Sequence, residues 1–479
     1  MADPGNREHL TPLDLLMPGS YVQAFLTFST SEPTSTVLPL LQQGLDKVVA
    51  RFRWVSGRVV PTVSASGQPP SLEIRWDASH PTPVLIDKGV ISGGYEALSS
   101  QNMPPKSIPA DVSPLKPQTP GNAAASSGAP VFAASVFRFS DGKGLGLCVY
   151  VHHNTVDATG FTELLSFWAR AMQGLLVGSE RAGLWPRLAR LTDALRPDLD
   201  SASIQSVEDL WASHPEHSQV APVLPSEFAP GTCELFRIST RNIDELKRQV
   251  QAQVQAQVQT QGRTTTNPTT TTNLVTALMW QAVTRARAHR STALGLGEGA
   301  TTRLATAVNG RARIGPGFST PDDPYFGNVV LYALAELPVS KVGACSQASE
   351  ECLADISDAI FESQSSRQIS KRSIAELCSL VGRVGDYRDI FVGWDLFSSR
   401  DFTVTSWNGL GLYDLDFGKG LGKPQHVRPP YAGADGVGFV LPKKALGENT
   451  VEVMVMLRKD DMAFMMKDEA WVALQEVRL

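Results

Sequence analysis

One stretch, Leu145 to Leu176, constrains the fold of this chain more than any other. Its first part, LGLCVYV (Leu145–Val151), is apolar, rich in β-formers and short enough to be a buried strand. Its last part places Phe161, Leu164, Leu165, Trp168, Met172, Leu175 and Leu176 at helical spacing. Between the two stands HHNTVDATG (His152–Gly160), with His153 and Asp157 in an H-x-x-x-D pattern. His153 therefore sits at a strand end, where a rigid scaffold meets a cleft. A neutral imidazole there is suited to take a proton from a hydroxyl or amine near pH 7. Asp157, four residues on and leading into the helix, is placed to hold local geometry by charge or hydrogen bonds.

The rest of the chain alternates strand and helix patterns. Strands are expected at Tyr21–Phe28, Phe52–Val60, Ser71–Trp76, Val131–Phe139, Cys233–Ile238, Leu304–Asn309, Val329–Glu336, Gly438–Leu441 and Thr450–Leu457. Helices are expected at Val37–Arg51, Asn242–Val258, Thr276–Arg290, Gln347–Gln368, Arg372–Val384 and Met462–Leu474. This is a mixed α/β pattern. The Pro- and Ser-rich stretch Gln101–Pro130 reads as a long surface loop, and the polar stretch Ser201–Pro230 as a linker. The repetitive tract Gln249–Asn273 reads as a surface insertion whose first part can extend a helix. A chain of 479 residues is long for one core and suits two domains of roughly 200 residues each.

A net charge of −5 leaves no global basic field for nucleic acid or an anionic membrane. No apolar run approaches the ~18 residues of a membrane span, and Met1–Leu10 lacks the apolar core of a secretory signal. The five cysteines are odd in number and widely spaced, which suits reduced thiols in a cytosolic protein. There is no metal-ligand cluster, G-x-S-x-G elbow, Walker A loop or dinucleotide fingerprint. Ser113 and Lys116 match S-x-x-K without its partner motifs.

A second motif lies near the C-terminus, in TSWNGLGLYDLDFGKG (Thr405–Gly420). Together, H-x-x-x-D and Asp416-Phe417-Gly418-Lys419-Gly420 resemble the paired signatures of the BAHD-type acyltransferases, and the chain is closest to their fungal branch. Three further segments add to the resemblance: the opening LTPLD (Leu10–Asp14), AVNGRARIGP (Ala307–Pro316) and TTNLVTALMW (Thr271–Trp280). Asn309 stands where the family carries Asp, Leu274 where it carries Asp, and Lys419 where it carries Trp.

The resemblance implies two chloramphenicol-acetyltransferase-like domains, each a mixed sheet flanked by helices, with a tunnel between them. Residues 1–200 would form the first domain, 201–231 the crossover and 232–479 the second. It further implies a monomeric, cytosolic O-acyltransferase of secondary metabolism that needs no bound cofactor. The co-substrate would be an acyl-CoA, by default acetyl-CoA, and the acceptor a small hydroxylated terpenoid, alkaloid or polyketide. His153 would be the general base and Asp157 would pair with Arg311. Asp416 and Gly418 would hold a loop, while Thr405, Ser406, Trp407, Thr272 and Asn273 would meet CoA and substrate. His152 is expected to pack rather than react. An N-acyltransferase with the same base, a carrier-protein-dependent condensation-like module, and an inactive scaffold are the competing readings.

Overall fold

The structure is a computed structural model that describes residues 6–62, 69–77, 82–115, 128–175, 186–261, 267–297, 299–343, 350–444 and 449–476. The first sheet is built on β1 (Tyr21–Ser29), β2 (Ile86–Ile91), β3 (Phe132–Phe139) and β4 (Gly144–His152). Strand β4 lies between β1 and β3, antiparallel to both, and β2 joins β3 in parallel at one edge. Every residue of β4 is buried, which is why its sequence is apolar without alternation. Its two faces nevertheless differ. Val22, Ala24, Leu26 and Phe28 of β1, with Leu145, Leu147, Val149 and Val151 of β4, enter a core shared with α1 (Thr34–Arg51) and α2 (Ala158–Met172). Tyr21, Gln23, Phe25, Cys148 and Tyr150, on the alternate positions, face the other side.

The chain crosses over through α3 (Arg187–Ser203) and a short helix, Val207–Ser213. Leu191, Leu195 and Leu210 on these helices share a buried cluster with Ile374 and Leu377. The second sheet comprises β5 (Gly231–Ser239), β6 (Thr301–Asn309), β7 (Val330–Pro338), β8 (Phe402–Ser406), β10 (Val437–Val440) and β11 (Thr450–Arg458); β9 (His426–Arg428) lies elsewhere. Its strand order is β5-β11-β10-β8-β6-β7, parallel at β6–β8 and β8–β10 and antiparallel elsewhere. Helices α4 (Thr240–Gln261), α5 (Thr271–Arg287) and α6 (Glu350–Ser363) share one core with it, while α7 (Lys371–Arg383) packs on α3. Helix α5 is buried on almost all sides, as an apolar run without a polar stripe requires. Both sheets are mixed and flanked by helices, the architecture expected from the motifs.

Strand β9 is donated backwards: it pairs antiparallel with β1 and completes the first sheet at its other edge. Arg428 of β9 is fully buried. Its guanidinium donates to Glu452 of β11 at 2.9 Å and to the Asn102 carbonyl at 2.8 Å, tying the donated strand to both halves. Just ahead of β9, the DFGKG box closes on itself. Asp416 accepts from the Gly418 N–H at 2.8 Å, and Gly418 adopts φ +76°, a conformation glycine takes without penalty. Phe417 is buried edge-on to Phe28 and Trp168.

Several local expectations are corrected. Phe52–Val60 is not one strand: Arg53–Ser56 forms a 3-10 turn, leaving Arg58–Pro61 as strand. The described part of Gln101–Pro130 is not a plain surface loop, since Met103, Ile108 and Val112 are buried against the first sheet; residues 116–127, Lys116 among them, lie outside the described residues. The linker is not extended throughout: Val207–Ser213 is a helix whose Leu210 is buried, and the continuously exposed stretch is 219–228. The repetitive tract is not surface filler through Gln261: Val250 and Val254 are buried one helical turn apart, because a four-residue repeat nearly matches the helical period. The C-terminal helix is two, Lys459–Met465 and Glu469–Leu474, the second capped by Asp468.

If Phe417 pins the box to the first core, Phe417→Ala should cost about 3–5 kcal/mol of unfolding free energy. Urea unfolding measures this, and a loss below about 1 kcal/mol would show that the box is held by its turns alone.

Candidate active site

His153 is the first residue past β4 and is half-buried. Its backbone is held on both sides: its N–H donates to the Ser20 carbonyl at 2.8 Å, and its carbonyl accepts from the Asn328 side-chain amide at 2.8 Å. The ring Nδ1 is buried and has no hydrogen-bond partner among the described residues. Burial lowers the imidazole pKa below its ordinary value, against the opposing pull of its own carbonyl, Asp157, Asn328 and Asp14. The neutral, proton-accepting ring is thus favoured. His152 turns into the protein. It packs edge-on to Tyr21 with ring centres 5.1 Å apart, and burial, with a smaller contribution from His153, brings its pKa down to about 4.

Asp157 is the N-cap of α2 and accepts the Gly160 N–H at 2.9 Å. The same buried carboxylate receives Arg311 in bidentate fashion, Nη1 at 2.8 Å and Nη2 at 3.0 Å, and the Val329 N–H at 2.9 Å. Arg311 spends its remaining donors on the carbonyls of Tyr325 and Gly327 and on Asn309. The structure therefore brings Asp157 and Arg311 together, from residues 154 positions apart. Asn309, standing where the family has Asp, accepts from the Arg311 N–H at 3.1 Å and donates to Thr159 at 3.1 Å. Gly160 explains the Ala-Thr-Gly sequence after Asp157: a Cβ there would lie 2.2 Å from the Phe326 carbonyl oxygen.

Two positioning residues were not singled out from the sequence as part of the site. Asp14 is fully buried. One of its oxygens accepts both the backbone N–H and the side-chain amide of Asn328, each at 2.8 Å, and the other closes a capping box with Thr11. The Asn328 amide reaches Asp14 and the His153 carbonyl together, so LTPLD and the YFGN turn support the strand end between them. The signal was present as a carboxylate in an apolar segment and an Asn after Gly, but nothing in their spacing ties them to position 153.

The remaining candidates form a second group. Thr405 is half-buried at the end of β8, Ser406 is exposed, and Trp407 is buried beside Phe439. Asn408, just beyond, donates to Thr272 at 3.4 Å, so the end of β8 and the start of α5 meet. The cap of α5 is Thr270 rather than Thr272 or Asn273, which lie inside its first turn; Asn273 supplies the capped N–H. Neither Thr405 nor Ser406 hydrogen-bonds to His153. The DFGKG box lies at the far end of α2, where Gln173 donates to the Asp416 carbonyl, about 22 Å along the helix from Asp157. Lys419 is exposed.

A cavity of about 620 Å³ lies over the alternate face of β1 and β4, between the 105–115 segment and Pro430–Ala432. Ser20, whose carbonyl receives the His153 N–H, lines it. One group of His, Asp and Asp side chains, His289 with Asp460 and Asp461, is close enough for a cation, but Arg290 already pairs with both carboxylates.

A family model described as "Transferase family" matches residues 106–471, and one described as "Trichothecene 3-O-acetyltransferase-like N-terminal domain" matches residues 20–172. The O-acetyltransferase ptmV of Penicillium ochrochloron is 23% identical over 486 residues, covering 96% of this chain and 95% of that protein. A trichothecene 8-O-acetyltransferase of Fusarium sporotrichioides is 24% identical, covering 96% of each. The structure of F. graminearum TRI101 complexed with coenzyme A and T-2 mycotoxin shares the fold, with TM-score 0.76 and 19% identity over 98% of this chain and 99% of that one. The chain belongs to the Transferase family, as the resemblance of its motifs implied.

Removing one member of a buried ion pair strands the other, so Asp157→Ala should destabilise by about 3–5 kcal/mol. The double variant Asp157→Ala, Arg311→Met should lose less than the sum of the two single changes, as a double-mutant cycle by denaturant unfolding measures. Strict additivity would show that the pair carries no coupling.

Proposed function

We propose that this member of the Transferase family is an acyl-CoA-dependent O-acetyltransferase that acylates a hydroxyl of a small secondary metabolite. The observation that carries the reading is a burial-depressed imidazole at a strand end, held by its own backbone beside the Asp157–Arg311 pair. The fungal O-acetyltransferases that match nearly the whole chain supply the reaction class.

In the proposed reaction His153 takes the proton of the acceptor hydroxyl. The oxygen then attacks the thioester carbonyl carbon, forming a tetrahedral oxyanion. As that collapses, the C–S bond breaks, and the imidazolium returns its proton to the leaving thiolate. An ester and free CoA result, with no covalent acyl-enzyme. A positioned base contributes about 10²–10⁴-fold; alignment of two substrates and oxyanion stabilisation supply the rest. Asp157 and Arg311 position the loop and do not exchange protons. We assign Thr405, Ser406 and Trp407, with Thr272 and Asn273, to the CoA path, supported by the contact of Asn408 with Thr272. Asp416 and Gly418 have the structural part of closing the box. The two halves, each with its own sheet, would enclose a tunnel that the substrates enter from opposite faces. Cys148, Cys233 and Cys378 are free and buried, which suits a cytosolic chain; it would work as a monomer.

His153→Ala should lower turnover by roughly 10²–10⁴-fold while calorimetry still shows acetyl-CoA binding; thiol release and product mass at wild-type level would remove the base assignment. The pH profile carries the second check. The imidazole must be unprotonated to act, and its pKa lies below 6.5, so kcat/KM should stay full at neutral pH and fall only as pH drops below that value. An acidic limb centred above 6.5 would contradict a buried neutral base.

A further inference from the structure

The cavity over the β1–β4 floor has a composition that restricts its occupant. In the sheet register Tyr21 lies opposite His152, Gln23 opposite Tyr150 and Phe25 opposite Cys148, so the floor runs from the strand end that carries His153 toward the sheet interior. Apolar side chains form most of the rest, among them Pro105, Ile108, Val112, Leu115, Pro430 and Tyr431. A volume of about 620 Å³ suits a drug-sized molecule.

The described lining contains one charged side chain, Lys106, and its ammonium is tied to Glu234 at 3.0 and 3.3 Å. Among the described residues, no carboxylate and no guanidinium line the cavity. The phenols of Tyr21 and Tyr150 and the thiol of Cys148 are held in their neutral forms by burial. An amine or a carboxylate entering here would lose water without gaining a counter-charge. Both floor phenols are spent: the Tyr150 hydroxyl donates to Ser113 at 2.8 Å and the Tyr21 hydroxyl to the Pro130 carbonyl at 3.0 Å. Gln23 differs from them: its amide stands at mid-floor with no hydrogen-bond partner among the described residues, as do the Ser20, Thr232 and Tyr431 hydroxyls elsewhere in the lining.

We propose that this cavity is the acceptor site and that it takes an uncharged, largely apolar, ring-bearing alcohol, which the Gln23 amide recognises through a hydrogen bond. The proposal rests on the transferase reading and narrows it: polyamine and hydroxy-acid acceptors are excluded, and with them N-acylation of a charged amine.

The test uses the full chain, acetyl-CoA and three probes of similar size: a neutral polycyclic terpenoid alcohol, a carboxylated analogue and a primary amine. Thiol release and product mass should give the neutral alcohol a kcat/KM at least roughly tenfold above the other two. Gln23→Leu should raise KM for that alcohol about tenfold while calorimetric affinity for CoA is unchanged. Ala110→Trp, at an exposed rim position, should cut kcat/KM for the polycyclic alcohol to a similar degree and spare cyclohexanol. Equal use of the carboxylate or the amine would overturn the proposal, as would unchanged KM for the polycyclic alcohol in both variants. CoA binding with turnover of only charged acceptors would overturn it while leaving the transferase standing. Neither CoA binding nor thiol release with any acceptor would remove the transferase reading itself.

Discussion

One buried carboxylate, Asp157, organises the end of the molecule that carries His153. It accepts a helix N-terminal N–H, two guanidinium N–H groups and the N–H of Val329. Burying an ion pair costs desolvation of both charges, and the arrangement is tolerable only when the remaining donors and lone pairs are satisfied. Here they are, because Arg311 also holds the carbonyls of Tyr325 and Gly327. The consequence is geometric. The start of α2, the end of β6 and the turn before β7 are locked to one another, and the loop carrying His153 has little freedom left. Gly160 belongs to the same device, since only a residue without Cβ lets α2 approach the Phe326 carbonyl so closely.

A second buried carboxylate does similar work from the chain's beginning. Asp14 holds Asn328, and Asn328 holds the His153 carbonyl. The imidazole is thus reached by two supports of different origin, one through the helix that follows it and one through its own backbone. Arg428 and Glu452 repeat the pattern at the donated strand β9. Three buried polar links therefore cross between segments far apart in sequence; the Asp157–Arg311 link is fully partnered, whereas Asn328 Oδ1, Arg428 Nε and Glu452 Oε2 are buried with no partner among the described residues. Such links contribute more to a unique arrangement of the halves than to net stability.

What could be read in the sequence follows the range of the interactions. The strand, the helix and the residues between them were legible because they are set by periodicity and local chemistry over about thirty positions. The pairing of Asp157 with Arg311 was reachable only through a resemblance, since no local pattern links positions 154 apart. The part of Asn328 and Asp14 was not legible, because an Asn after Gly reads first as a turn. Strand β9 escaped notice for a related reason: at three residues, flanked by prolines, His426–Arg428 is too short to show alternation. The repetitive Gln-Val-Gln-Ala tract misled in the opposite direction. Its low complexity suggested filler, yet its period is close enough to that of a helix to lay Val250 and Val254 on one buried face.

The two-faced character of β1 and β4 separates the demands of folding from those of recognition. Residues such as Val22, Ala24, Leu147 and Val149 fill the core beneath α1 and α2, where any change of volume is felt throughout the half. Their neighbours Gln23, Phe25, Cys148 and Tyr150 face the cavity and touch little of that core. The period-2 geometry of a strand means that these two sets never exchange roles without a register slip, which would turn every apolar side chain outward. The cavity floor can therefore vary in chemistry at alternate positions while the scaffold that holds His153 stays the same. His153, its supports and the fold form one rigid unit, and the proposed acceptor cavity lies on the other face of the same two strands.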